Sequence, residues 1–118
     1  MSGSVGYHAG RVAEEIVASD YARRQHPIAA RRWRGRAGEI DIIARSGDTV
    51  VFIEVKKSRD FATAARRLSR RQMDRVCACA GEFLAGEPRG QLTDVRFDLA
   101  MVDGTGAIRV IENAFMEA

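Results

Sequence analysis

The stretch that most constrains this chain is residues 38–57, GEIDIIARSGDTVVFIEVKK. Two runs rich in Ile and Val flank the turn residues Ser46-Gly47-Asp48, the pattern of a β-hairpin. Three charges interrupt those runs: Asp41, Glu54 and Lys56. Asp and Glu are poor strand formers, and a buried charge is costly unless it is paired or bound to a metal. Charges placed against both costs mark a candidate site.

Strand side chains alternate, so Glu54 and Lys56 share a face with Val50 and Phe52, and Val51, Ile53 and Val55 take the other. On the preceding strand the same rule groups Asp41 with Ile43, and Ile40 with Ile42. If the two strands pair as a hairpin, Asp41 can lie beside Glu54 near the open end, in a register that the sequence leaves open. Two carboxylates with a backbone carbonyl are hard oxygen ligands that suit Mg2+ or Mn2+. Such a metal activates water and stabilises charge on a phosphoryl oxygen, and a lysine can orient the water. The spacing D-x12-E-x-K therefore suits phosphodiester hydrolysis. The plain alternative is an ion pair of Glu54 with Lys56 or Arg45.

Taken together, several motifs carry a resemblance. Gly10-x-x-x-Glu14, GEID at 38–41, FIEVK at 52–56, Arg71-Gln72, VRFD at 95–98 and IENAF at 111–115 resemble the YraN-like family of small bacterial proteins. That family looks like a branch of the PD-(D/E)xK nuclease superfamily, near the archaeal Holliday-junction resolvases. The resemblance covers nearly the whole chain. It implies an α/β (α+β) fold with a restriction-endonuclease-like core, a mixed sheet of about five strands flanked by helices. It further implies an endonuclease dependent on Mg2+ (or Mn2+) that hydrolyses DNA, with branched or junction DNA as substrate and a homodimer to act on it. Asp41, Glu54 and the Val55 carbonyl would hold the metal, together with Glu14 from the first helix. Lys56 would position the attacking water, and Gln72 would complete the catalytic set. The family commonly carries asparagine where Arg32 stands. Two alternatives stay open: a non-catalytic nucleic-acid-binding module that keeps the fold, and a structural partner within a larger complex.

Charge distribution adds to this reading. The net charge is only +3, yet residues 22–72 hold fourteen Lys and Arg against five Asp and Glu. A basic middle between acidic ends is the footprint of a polyanion partner. Arg32, Arg34 and Arg36, then Lys57, Arg59 and Arg71, are the candidate phosphate contacts. At 118 residues the chain is expected to be one endonuclease-like domain, residues 1–118. No apolar run approaches a membrane span, and residues 1–11 lack an apolar h-region. The expectation is a cytoplasmic protein without a membrane partner. Cys77 and Cys79 fall on different faces of a helix, which argues against a mutual disulfide or a zinc pair.

Periodicity predicts a first helix over 7–24, with Val12, Ile16 and Ser19 as one stripe and Val5, Ala9, Ala13, Val17 and Tyr21 beside it. Glu14, rather than its neighbour Glu15, aligns with the family's helix glutamate. His8 and His26 read as surface residues. A strand over 28–36 would place Arg32, Arg34 and Arg36 on one face, with Arg31 and a mostly core Trp33 opposite. Residues 58–68 read as a mobile connection on the active face. Ser69 with Gln72 forms a capping box, opening a helix to about residue 85 with Met73, Val76, Cys77, Ala80, Phe83 and Leu84 at helical period. Two further strands, over 93–103 and 107–112, carry Val95, Phe97, Leu99 and Met101 on one face and an Arg96–Asp98 pair, most simply structural, on the other. The tail IENAF is expected to pack back on the core.

Overall fold

A computed structural model describes the backbone of residues 2–115 and the side chains of residues 10–115. Val5, His8 and Ala9 therefore lie outside the described side chains. The order is α1 (Ser2–Arg23), β1 (Ile28–Arg34), β2 (Glu39–Ser46), β3 (Thr49–Lys57), α2 (Phe61–Arg66), α3 (Arg70–Leu84), a 3-10 turn at Gly90–Leu92, β4 (Val95–Val102) and β5 (Ile108–Ile111). The strands form one sheet in the order β1-β2-β3-β4-β5. Only β3 and β4 run parallel. A parallel pair needs a long crossover, and α2 and α3 supply it. This mixed sheet with helices on its faces is consistent with a restriction-endonuclease-like core.

Local chemistry sets the crossover's helix ends. Ser69 Oγ accepts from the Gln72 N–H at 3.1 Å, and Gln72 Oε1 accepts from the Ser69 N–H at 3.4 Å, so the capping box forms as the sequence predicts. Residues 58–68, expected as a mobile connection, instead contain α2, whose Asp60 cap accepts from the Thr63 N–H at 2.7 Å. Its Ala64 is buried with Leu99 and Met101, and Phe61 packs beside them. A short apolar anchor inside a polar stretch has no clear helical period, which is why the sequence reads as a loop.

The sheet buries both faces. On one, Ala13, Val17 and Tyr21 of α1, four residues apart, pack on Ile42, Val51, Ile53, Ala100 and Val102. Val12 and Ser19 are exposed, so the stripe centred on them is not the packing face. On the other face Val76, Cys79, Ala80 and Leu84 of α3 cover Ile43, Val50 and Phe52. Cys79 takes the place expected for Cys77, which is exposed; both thiols are free. Trp33 meets Phe83 edge-on with centroids 5.5 Å apart, a core contact. Phe115 stacks on Phe97 at 5.2 Å and the Ala114 N–H bonds the Phe97 carbonyl at 2.8 Å, which returns the tail to the core. His26 is half-buried rather than a surface residue: its ring lies 6.2 Å from that of Tyr21, and its Nδ1 is buried without a hydrogen-bond partner.

The alternation rule fails at one place in β1 and β2, and that place matters. Ile40 packs with the α3 layer while Ile42 packs with the α1 layer, although they are two residues apart. Their partners across the ladder, Trp33 and Arg31, are split the same way: Trp33 lies with α3, and Arg31 bonds Glu15 of α1. Between them Arg32 has φ +47°, a left-handed conformation uncommon in any residue but glycine and asparagine. The strand pair thus changes face at Arg32 and Asp41. Arg31 and Trp33 do not share a face, and the expected row of Arg32, Arg34 and Arg36 is interrupted by the left-handed backbone at Arg32. Arg36 also lies past the end of β1.

One fully buried charge pins the α1 side. Asp98 accepts from Tyr21 Oη at 2.7 Å, from Arg96 Nε and Nη2 at 2.9 Å each, and from the Asn113 N–H at 3.2 Å. Burial and the bond to Asp98 push the Tyr21 phenol well above its ordinary pKa, so it stays a donor. Tyr21→Phe is expected to cost about 1–3 kcal/mol, because Asp98 loses a buried partner. Asp98→Ala should cost more, about 3–5 kcal/mol, by leaving Arg96 without its main partner. Urea denaturation of the two variants checks both, and unchanged stability would show that the network is incidental.

Candidate active site at the split between two strands

The β2–β3 ladder ends at Ile42 opposite Ile53. One step further the same register sets Asp41 against Glu54, but the backbone rung is missing. Asp41 Oδ2 takes its place and accepts from the Val55 N–H at 2.8 Å. In an extended strand a residue's N–H and C=O share an edge, so the Val55 carbonyl faces the same gap. The Asp41 carboxylate therefore lies in the plane of the sheet, between its two helical layers. Glu54 is buried on the α3 face, and Lys56 follows it on that face with Nζ 3.4 Å from Glu54 Oε2.

The electrostatics are unbalanced. Burial, followed by the charge of Glu54, pushes the Asp41 carboxyl up to about 7, against the pull of the Val55 N–H and Lys56. Burial also raises Glu54, opposed first by Lys56. Glu14 adds to both shifts. Two carboxylates thus share one ammonium in a partly dry setting.

Cavities open on both sides of Asp41. One of about 290 Å3 is lined by Ala37, Gly38, Glu39, Gln72, Arg75 and Val76, with Asp41 and Glu54. A smaller one, about 170 Å3 on the α1 side, is lined by Arg11, Glu14, Glu15, Arg31, Arg32, Asp41 and Ile42. Glu14 is the helix carboxylate that acts on the pair, and Glu15 turns to Arg31. Glu14 is itself held by Arg32, through Nε at 2.9 Å and Nη2 at 3.2 Å. Gln72 lines the larger cavity while capping α3.

The basic candidates spread more widely. Arg34 reaches Glu39 at 3.4 Å. The Arg36 N–H bonds the Glu82 carboxylate, and the Arg36 side chain is exposed. Lys57 and Arg59 follow Lys56 along the chain, and Arg71 is exposed on α3. Arg45 bonds Glu87 at 2.7 Å rather than Glu54, which leaves Lys56 as the ion-pair partner of Glu54. Arg75 was not anticipated at the cavity. Its position three residues after Gln72, on one helix face, is the signal that finds it.

The donor set fits a small hard cation. Asp41 and Glu54 offer carboxylate oxygens of raised pKa, and the Val55 carbonyl faces the gap. Among the described residues no three His, Cys, Asp or Glu side chains form a group that could hold a metal ion. Magnesium is usually held by one or two carboxylates and keeps several waters, so a pair suffices.

The raised Asp41 pKa makes a pH prediction. In the unfolded chain the group ionises at about pH 4, whereas in the folded chain it holds its proton to about 7. The folded state binds more protons over that window, so stability falls as pH rises through it and the deficit then stays constant. Asp41→Asn should flatten this dependence and melt a few degrees higher than wild type at pH 8. Added Mg2+ or Mn2+ should raise the wild-type melting temperature at pH 8 and leave Asp41→Asn nearly unchanged. Circular-dichroism melts at pH 4–8 with and without metal test both.

Comparison with known proteins matches residues 13–102 to the profile of the uncharacterised protein family UPF0102. A UPF0102 protein of Cereibacter sphaeroides strain KD131 is 66% identical over 115 residues, covering 98% of each chain. A UPF0102 protein of Ruegeria pomeroyi is 61% identical over 113 residues, 96% of this chain and 92% of the relative. One from Dinoroseobacter shibae is 43% identical over 108 residues, 92% of this chain and 81% of the relative. Among the described residues no helix is long and apolar enough to cross a membrane.

Proposed function

The chain belongs to the UPF0102 family, and from the site in its sheet we propose that it is a divalent-metal-dependent endonuclease acting on DNA. The observation that carries the reading is the under-neutralised pair Asp41 and Glu54, with Lys56 beside it, at a gap in the sheet. Asp41, Glu54 and the Val55 carbonyl would hold Mg2+ or Mn2+, with Glu14 at the margin. When bound, the cation supplies charge stabilisation at the phosphoryl oxygens and lowers the pKa of water.

The chain's own residues do the rest. Lys56, held against Glu54, directs its ammonium to the attacking water or to charge developing on the phosphate. Gln72 and Arg75 border the space in which that phosphate would lie, and Arg75 adds a cation to it. The Glu14–Arg32 pair bounds the site on the α1 side and fixes the helix carboxylate. Branched DNA is the substrate form to which the YraN-like resemblance points, with a homodimer to engage it.

The Lys56–Glu54 and Arg32–Glu14 pairs also suit a second reading, a nucleic-acid-binding module whose acids are silenced by internal cations. Cleavage of labelled linear, single-stranded, flap and four-way-junction DNA in Mg2+ and Mn2+ separates the two. The endonuclease reading expects metal-dependent cuts that fall about 100-fold or more in Asp41→Ala, Glu54→Ala and Lys56→Ala, with DNA binding retained in Lys56→Ala. Binding without cutting, unaffected by the three changes, would transfer the assignment to the binding module.

A further inference from the structure

Past Lys56 the chain borders another cavity, of about 620 Å3. Its volume falls in the range of about 300–1,000 Å3 that encloses small organic ligands. Lys56, Lys57, Arg59 and Arg67 line it, together with Val55, Ser58 and two glycines; among the described residues no carboxylate lines it. The contrast with the neighbouring cavity is sharp in charge: there Asp41, Glu54 and Glu39 face a single Arg75. Arg67 is fixed to the wall by its Nη1, which bonds the Lys57 carbonyl at 3.0 Å. Two of the four meet acids that lie outside the lining: Lys56 is 3.4 Å from Glu54, and Arg59 is 3.5 Å from Asp60, which is exposed and turned to the Thr63 N–H as the cap of α2. Lys57 and Arg67 line the cavity together with no carboxylate partner among the described residues, and an anion between them relieves their repulsion.

We propose that this cavity seats the phosphodiester next to the one that is cut, with Lys57, Arg59 and Arg67 as its ligands. The bound strand then runs from the acidic cavity, over Lys56, into the basic one. The identity of the anion rests on the phosphodiesterase reading; the seat itself rests on the cavity and its charges. Lys56 lines this cavity and its ion-pair partner Glu54 lines the acidic one, so a phosphate in the seat abuts the lysine beside the carboxylate pair.

The test is binding of a fluorescein-labelled single-stranded oligodeoxynucleotide, without divalent metal, across a salt series. Lys57→Gln and Arg67→Gln should each bind about three- to tenfold more weakly at low salt. Each should also lower the slope of log K against log salt by about 0.7. Arg67→Lys, which keeps the charge, should recover most of the loss. Arg89→Gln is the control, since Arg89 lies beside the β2–β3 turn at the far end of β3. Losses in Lys57→Gln and Arg67→Gln no larger than in the control would overturn the seat. Should Arg67→Gln melt early by circular dichroism, Lys57→Gln alone decides. The two readings fail separately. A wild type that binds through these residues yet never cuts keeps the seat and retires the phosphodiesterase. One that cuts but ignores both substitutions retires the seat, and one that binds no DNA retires both.

Discussion

Where the next rung of the β2–β3 ladder would stand, one side-chain hydrogen bond stands instead: Asp41 Oδ2 to the Val55 N–H. The site depends on that replacement. A normal rung would pair backbone with backbone and turn Asp41 onto one face of the sheet. With the rung replaced, the carboxylate stays in the plane, where the spaces beneath α1 and α3 meet. The left-handed Arg32 on β1 absorbs the same irregularity one strand over, so both strands change face together. The wall above is fixed from α3, where the Glu82 carboxylate accepts from the N–H groups of Arg36 and Ala37. Gly35 permits that approach, since a Cβ there would sit 2.8 Å from Glu82 Oε2.

Two buried acidic groups in one sheet make an instructive contrast. Asp98 is completely enclosed, and four donor groups satisfy it: a phenol, two guanidinium nitrogens and a backbone N–H. That is how a buried charge is made structural. Asp41 and Glu54 share one ammonium and one backbone N–H, and burial raises the pKa of both. A fold tolerates such a deficit where something outside the chain makes it up, which is why perturbed groups gather at functional sites. The Arg96–Asp98 pair and the Glu54–Lys56 pair look alike in the sequence, each an acid and a base two residues apart on a strand. Only the surrounding donors separate a strut from a candidate site.

Legibility from sequence varied with the kind of signal. The capping box at Ser69, the hairpin around Gly47 and the apolar runs of β3 and β4 are local patterns, and the structure repeats them. Strand period put Glu54 and Lys56 on one face and left the register with Asp41 open; the structure sets Lys56 3.4 Å from Glu54 and brings Asp41 to the Val55 N–H between them in sequence. The faces of Arg31, Trp33, Ile40 and Ile42 did not follow, because period-two reasoning assumes an unbroken strand and Arg32 breaks it. α2 escaped for a related reason: its anchor, Ala64, is small, and its burial depends on β4 lying opposite. The α1 stripe was misplaced by one helical row, since Val12 and Val17 are equally apolar and only the sheet selects between them.

What the sequence determined by itself was the five strands and the two long helices, the capping box that opens α3, and the three charges that have no local reason to be there. Those follow from dihedral preference, hydrogen bonding within a few residues and hydrophobic period, all local in the chain. Tertiary structure decided which face each residue near Asp41 takes, that Glu14 and not Glu15 acts on the pair, and that Arg32 holds Glu14. It also gathered Arg67 with Lys56 and Lys57 around one basic cavity. Each of these depends on contacts between residues distant in sequence and on the burial that such contacts create. Charge, once buried, answers to its neighbours in space rather than to its neighbours in the chain.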